Sequence, residues 1–291
     1  MAALSRAAVK ATDVVRAVTP ALRAAGFDII YASTVGVYNS TVAVGGDADL
    51  RLPELSAGPD TLALIVGNSA ELWPKFMAAS LRSESIRACP HPLDKGYTVP
   101  ALRKAFEELL PKREPALAGR PSDLRFVHET RRDRVVAVAR FAHASGMAWL
   151  CPEAYLSVHP EVGPWLSFRA VAVIDADGSG LGCTPAEAPA SLDEAQRAVV
   201  AGRMADALTA AASAAGDDGG GTAAASAKGS GADAGADIGL SAKSRAFLAV
   251  RDACGGGFES HRFPAPMLRF HYDKTGLPGA EPGPECAEST A

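Results

Sequence analysis

The sequence has few aromatic residues and no excess of positive charge. Aromatic residues make up 6% of the 291 residues, and the formal net charge is −4 at pH 7. A chain without a positive field does not attract the phosphates of DNA, of RNA or of an anionic membrane surface. We therefore expect no nucleic-acid partner and no membrane partner.

Long apolar runs and paired cysteines are also absent. No stretch reaches the roughly 18 apolar residues that a membrane-spanning helix needs, so no span is expected. The five cysteines include no Cys-x-x-Cys pair and no Cys/His pair at zinc-ligand spacing. We interpret them as free thiols in a reducing compartment, which favours the cytoplasm.

The N-terminus allows two interpretations. It is rich in Ala and poor in acidic residues, as an organelle transit peptide is. However, Val15, Val18 and Leu22 recur at helical spacing, and Gly26 stands where a helix commonly ends. We favour a structural first helix that is kinked or restarted at Pro20.

Along the rest of the chain, segments with the apolar spacing of strands alternate with segments with the apolar spacing of helices. This alternation predicts a layered sheet with helices. Strands are predicted at residues 27–39, 61–66, 124–129 and 165–175, and helices at residues 68–81, 98–110, 134–149 and 191–208. Asn68 and Ser191 are predicted to begin helices because Glu follows three positions later, and Pro111 is predicted to end one. The segment 134–149 is apolar on almost every side, which predicts a central helix.

Composition divides the chain into a domain, an insertion and a tail. Residues 211–240 are almost entirely Ala, Gly, Ser and Asp, which is typical of disorder. Sequence typical of folded protein resumes after them, so the insertion interrupts a domain. We predict one domain built from residues 1–210 and 241–275, followed by a flexible tail at 276–291.

The usual catalytic signatures are absent. The sequence has no P-loop, no Gly-x-Ser-x-Gly elbow, no His-Glu-x-x-His pair and no dinucleotide-binding glycine motif. Arg169 interrupts an apolar strand, where a charge is costly unless it is paired. It should therefore contact a structural carboxylate or an anionic ligand. Two interpretations of His143 stay open: a core residue hydrogen-bonded to the backbone, or a residue that contacts a ligand.

Several segments, in the same order, resemble the CblC-type cobalamin-processing proteins (MMACHC family). They are Tyr38-Asn39, Leu52-Pro53, residues 58–63, Asp94, residues 143–146, His159-Pro160 with Trp165 and Arg169 after them, residues 248–252 and residues 258–270. The resemblance covers about residues 8–185 and 244–272. It implies an α+β fold with a flavin reductase/nitroreductase-like sheet flanked by helices.

The resemblance also implies an activity. Such a protein is a cytoplasmic enzyme and chaperone that binds cobalamin base-off, with the lower axial base displaced from cobalt. It removes cyanide reductively with reduced flavin (FMN or FAD) and transfers alkyl groups to glutathione, as a cyanocobalamin reductase and alkylcobalamin dealkylase. An NADPH-dependent reductase as electron donor and a downstream cobalamin-trafficking protein are the implied partners. Cobalt arrives within cobalamin, so no separate metal site is implied.

By the same resemblance, site residues can be carried over one by one. Arg169 and Arg251 match two arginines that hold glutathione, whose carboxylates suit the guanidinium fork. The implied cobalamin-binding residues are His143, Glu129, Val136, Ala137, Val138, Ala139, Leu150, Cys151, Ser157 and Phe168. No residue is assigned a catalytic role. The family's third glutathione arginine has no counterpart, and Lys274 is the basic residue near its position. A non-catalytic cobalamin carrier and a flavin reductase on the same fold are the alternatives.

Overall fold

A computed structural model describes residues 9–44, 47–181, 187–215, 238–275 and 277. Most of the predicted insertion (216–237) and almost all of the predicted tail lie outside the described residues. The division into domain, insertion and tail therefore stays a prediction. No helix in the described ranges is long and apolar enough to cross a membrane.

Helices and short strands alternate through the described chain. The α-helices are α1 (Ala11–Ala24), α2 (Val35–Val44), α3 (Leu72–Arg82), α4 (Glu84–Arg87), α5 (Val99–Arg103), α6 (Leu110–Arg113), α7 (Val138–Ala144), α8 (Glu194–Ala215), α9 (Ala242–Cys254) and α10 (Ala265–Asp273). The strands are β1 (Ile29–Thr34), β2 (Thr61–Asn68), β3 (Ser122–Phe126), β4 (Trp149–Cys151), β5 (Leu156–Val158) and β6 (Ser167–Asp177). Two π-helical turns, Pro92–Thr98 and Lys104–Leu109, join α5 and α6 into one helical run over residues 92–113.

The main sheet is antiparallel, and its strand order within the described residues is β1-β2-β6-β3. Strands β2 and β6 lie in the centre, and every residue of β2 is buried. Their sequences are continuous apolar runs because helices cover both faces of the sheet. A separate hairpin pairs β4 with β5. The predicted α+β fold with a helix-flanked sheet is confirmed.

The two faces of the sheet are covered by different helices. Helices α1, α3 and α10 and the run over residues 92–113 pack on one face. Helices α2 and α7 pack on the other face. A third cluster joins the β4-β5 hairpin to α8 and α9, outside the main sheet.

The first helix forms as predicted and runs past Pro20. Helix α1 contains Pro20 and does not restart there, although a restart was one of the two predicted forms, and it buries Val14, Val18 and Leu22. The amide of Gly26 bonds to Arg23 O, and that of Phe27 bonds to Leu22 O. This is the Schellman pattern, and its left-handed position is Gly26, with φ +87°.

Two predicted elements are too long, because tertiary packing overrides local propensity. The strand predicted at 27–39 stops at Thr34, and the β-branched residues after it form the buried side of α2. The helix predicted at 134–149 is limited to α7, while Trp149 begins β4. Gly146, with φ +80°, follows the end of α7. That segment is apolar on every side because it passes through a loop, a helix and a strand.

Three predicted helix boundaries are wrong. Asn68 is the last residue of β2, and α3 begins at Leu72. Helix α8 begins at Glu194, and Asp193 and Gln196 exchange the two bonds of its capping box. Pro111 does not end a helix, because it lies in the first turn of α6, where its missing N–H is not needed.

Candidate functional site

A cleft of about 210 Å³ opens where β3 ends and β6 begins. It is formed by the π-helical turn before α5, the residues after β3, the start of β6 and the end of α10. Its lining residues are Leu93, Asp94, Val127, His128, Phe168, Arg169, Phe270, His271 and Lys274. The wall of the cleft is partly apolar, and it also carries basic groups and the carboxylate of Asp94.

Arg169 is held in a fixed orientation by two acceptors. Its Nε donates to Oδ1 of Asn68 at 2.6 Å, and its Nη1 donates to Oδ1 of Asp94 at 3.0 Å. Burial lowers the pKa of Arg169, and the carboxylate of Asp94 opposes that shift. The remaining nitrogen, Nη2, is buried and has no hydrogen-bond partner among the described residues. Arg169 thus contacts a structural carboxylate, as expected, and retains a donor for a second acceptor.

Arg251, on α9, is buried among aromatic rings. Its Cζ lies 5.8 Å from the ring centroid of Trp165, 5.5 Å from that of Phe263 and 6.0 Å from that of Tyr272. Ring faces attract the cation, but they do not replace hydrogen-bond acceptors. Nε and Nη1 are buried and lack a partner within the described part of the chain. Arg251 therefore also retains unused donors.

His271, on α10, lies among the positive groups. Burial, together with the charges of Arg251, Lys274 and Arg169, lowers its pKa to about 3. The imidazole is therefore neutral near pH 7. Basic groups from β6, α9 and the end of α10 surround it. The two arginines predicted to hold glutathione are both near enough to His271 for their charges to lower its pKa.

His143 lies at a second surface, formed by α7 and the β4-β5 hairpin. Its side chain is 24% exposed, and its Nε2 lies 3.8 Å from Oε2 of Glu187. Leu150 N donates to Nδ1 of His143 at 3.5 Å. Ala139 lies one helical turn before His143 on the same face, and Leu150 pairs with Ser157 across the hairpin. Three predicted cobalamin residues, Ala139, His143 and Leu150, therefore share what we call the α7–hairpin surface, and Ser157 is buried on the same face of the hairpin.

The predicted cobalamin residues before α7 and at its first position make contacts within the protein. Val136 and Val138 are buried in the core between α7, α2 and the sheet. Ala137 N donates to the hydroxyl of Tyr38 at 3.0 Å. The carboxylate of Glu129 accepts the amide of Phe126 at 2.7 Å and also contacts Arg134. These residues, predicted to contact cobalamin, fix the path of the chain into α7, whereas Phe168 lines the cleft.

Cys151 is not part of the α7–hairpin surface. It neighbours Leu150 on β4, so its side chain points to the opposite face of the hairpin, where it is buried against α8 and α9. A hydrogen bond between the two thiols lowers the pKa of Cys151 and raises that of Cys254. Cys89, Cys151 and Cys254 are free, as predicted. The other two cysteines lie outside the described residues.

Two residues that line the cleft, and one that bonds to Arg169 beside it, received no site role from the sequence. Asn68 was interpreted as a helix cap, and Asp94 was noted only within the resemblance. The one local signal of His271 was its place between the aromatic residues Phe270 and Tyr272. Their importance follows from contacts between distant parts of the chain.

Comparison with solved structures gives an informative likeness. No protein-family model and no curated protein matches the sequence. Among solved structures, the chain is similar to a B12-trafficking protein CblC of C. elegans, described as a homologue of human MMACHC. The TM-score is 0.55 with 16% sequence identity, over 90% of this chain and 91% of that chain. The resemblance seen in the sequence is thus confirmed at the level of structure: the chain has the fold of a CblC protein.

Proposed function

We propose that this protein is a cobalamin-processing enzyme that also acts as a chaperone for its product. Cobalamin would bind base-off against the α7–hairpin surface, and glutathione would bind in the cleft. The observation that supports this most is the pair of buried guanidinium groups, Arg169 and Arg251, with unused donors in a CblC fold. Residues 1–210 and 241–275 would form its single domain.

The chemistry of the cleft suits a small anion better than a corrin ring. Its volume of about 210 Å³ is below the roughly 300–1,000 Å³ of pockets that enclose drug-sized ligands. Buried N–H groups without acceptors are costly, and carboxylates bind guanidinium groups with short, charge-assisted bonds. Glutathione carries two carboxylates, one for each arginine. Arg169 lines the cleft and Arg251 is not among its lining residues, so one end of the tripeptide would enter the cleft and the corrin would lie outside it.

The positive groups would also activate the thiol of glutathione. A thiolate is the nucleophile, and nearby cations lower the pKa of a thiol from its usual value of about 8.5. Arg169, Arg251 and Lys274 supply that charge, and neutral His271 adds none. In alkyl transfer the thiolate sulfur forms a bond to the alkyl carbon, the cobalt–carbon bond breaks, and its electron pair stays on cobalt.

Cyanide removal is the second activity that we propose. Reduced FMN or FAD would supply electrons, and an NADPH-dependent reductase would regenerate it. We assign no residue of the described chain to the flavin. We place the protein in the cytoplasm, where a trafficking protein would receive the processed cobalamin. A non-catalytic carrier would bind methylcobalamin without demethylating it, and a plain flavin reductase would bind flavin and leave cobalamin unchanged.

Adding the purified protein to methylcobalamin is expected to shift the visible spectrum to the base-off form. His143→Trp should weaken binding at least tenfold, because the larger ring would occupy the space beside the α7–hairpin surface in which the corrin would lie. His143→Ala should keep most of the affinity, since the imidazole makes only the long contacts at 3.5 and 3.8 Å. Spectral titration measures all three proteins.

Val199→Trp is the matched control for added bulk. Val199 is 57% exposed on α8, so this variant should bind as the wild type does. Unchanged methylcobalamin absorption at saturating wild-type protein would contradict the proposed function. If His143→Trp binds methylcobalamin as tightly as the wild type does, the corrin does not bind against α7.

A further inference from the structure

Asp94 is the one acidic side chain among the residues that line the cleft. We propose that the Arg169–Asp94 pair recognises the amino-acid end of glutathione, the γ-glutamyl residue with its free α-carboxylate and α-ammonium. Arg169 would bind the carboxylate, and Asp94 would bind the ammonium. The inference rests on the proposed function, and it adds which end of the tripeptide lies at β6.

Each residue of the Arg169–Asp94 pair has one polar atom without a hydrogen-bond partner among the described residues. Oδ1 of Asp94 accepts Nη1 of Arg169 at 3.0 Å, and the aspartate side chain is 35% exposed. No hydrogen bond reaches Oδ2 of Asp94 from the described residues. Nη2 of Arg169 is buried without a partner. Two residues that are ion-paired with each other and both line the cleft thus keep, on Arg169, a donor and, on Asp94, an acceptor without partners in the described structure.

That arrangement matches an α-amino acid and does not match a simple carboxylate. In a zwitterionic amino acid the ammonium and the carboxylate are attached to the same carbon. A carboxylate without an adjacent ammonium would meet Arg169 but would be repelled by Asp94. Asp94 therefore makes the cleft selective for a ligand that carries both charges.

The other arginine offers no such pair. Arg251 is surrounded by the rings of Trp165, Phe263 and Tyr272, and it forms no ion pair with a carboxylate among the described residues. An ammonium placed there would be repelled by Arg251, whose charge is not offset by a paired carboxylate in the described part of the chain. The glycine carboxylate, which has no ammonium beside it, suits Arg251. The cysteine between the two ends would then lie near His271.

The experiment compares two ligands that differ in one group. Calorimetric titration of the full protein would use glutathione and its desamino analogue, glutaryl-cysteinyl-glycine, which lacks the α-ammonium. The wild type should bind glutathione about tenfold to a hundredfold more tightly, the range expected of one charged hydrogen bond. Asp94→Asn should weaken glutathione binding by a similar factor and leave the analogue unchanged or bound more tightly.

Asp206→Asn is the control, because Asp206 is exposed on α8, and it should bind both ligands as the wild type does. Equal affinity of the wild type for the two ligands would overturn the inference, and that comparison needs no variant. Equal weakening of both ligands in Asp94→Asn would also overturn it, since Asp94 would then only position Arg169. If the wild type binds neither ligand, the proposed glutathione site itself is wrong.

Discussion

Arg169→Ala and Arg251→Ala are each expected to raise the glutathione concentration for half-maximal demethylation of methylcobalamin by about thirtyfold or more. Removing one partner of a buried, hydrogen-bonded charge pair costs roughly 2–5 kcal/mol, and about 1.4 kcal/mol corresponds to a factor of ten. Both guanidinium groups have buried, unused N–H donors. Loss of methylcobalamin absorption, followed without oxygen at varied glutathione, measures the effect.

Arg169→Lys should restore part of the affinity, because an ammonium keeps the charge but lacks the planar fork. Cyanide removal needs no thiol and should fall much less in all of these variants. Arg103→Ala is the control, since Arg103 is 58% exposed and lies 3.8 Å from Glu107. Identical glutathione dependence in the wild type and both alanine variants would make these arginines structural and favour a non-catalytic carrier.

Trp165→Ala is expected to give the largest loss of stability, about 3–5 kcal/mol in the free energy of unfolding. Trp165 is 1% exposed, and its ring centroid lies 5.7 Å from that of Phe263 in an edge-to-face contact. A Cβ atom at Gly255 would approach its Nε1 to 3.1 Å, so the neighbouring chain is close. A cavity there would use much of the roughly 5–15 kcal/mol that stabilises a typical protein. Denaturant unfolding measures the loss.

Trp165→Phe separates the contribution of the aromatic ring to stability from that of the indole N–H. The indole Nε1 is buried without a hydrogen-bond partner in the described structure, so replacing Trp by Phe removes an unsatisfied donor while keeping an aromatic ring. We expect a much smaller change than for Trp165→Ala. Val199→Ala, at an exposed site of α8, should change stability by no more than about 0.5 kcal/mol. An equally small change in Trp165→Ala would show that the cluster around Arg251 repacks.

The central strands could be predicted from the sequence because burial on both faces produces continuous apolar runs. The same apolar composition misled us at residues 134–149, where local pattern cannot separate a loop, a helix and a strand that are all buried. Arg169 was predictable as well, because a charge within an apolar strand needs a partner. The identity of that partner was not, since Asn68 is 101 positions away and Asp94 is 75 positions away.

The residues predicted to bind cobalamin show how a resemblance and a physical rule complement each other. The resemblance placed both Leu150 and Cys151 on the corrin wall. Neighbouring residues of a strand face opposite sides, so both could not line the same wall once residues 149–151 were assigned to a strand. The sequence analysis ended a helix at Trp149 and assigned no strand to Leu150 and Cys151, so the rule could not be applied. The boundary error therefore hid a constraint on the predicted site.

The strand order β1-β2-β6-β3 has a consequence for the order of events during synthesis on the ribosome. Strand β6 separates β2 from β3, although it follows both in the chain. The four strands therefore cannot all pair until residue 177 has been synthesised. Pairings between distant segments are slow to form. The cleft requires still more chain, because His271 and Lys274 belong to its wall. A nascent chain that stops before α10 would therefore lack the wall that these residues form, and would leave uncovered the apolar face on which α10 packs.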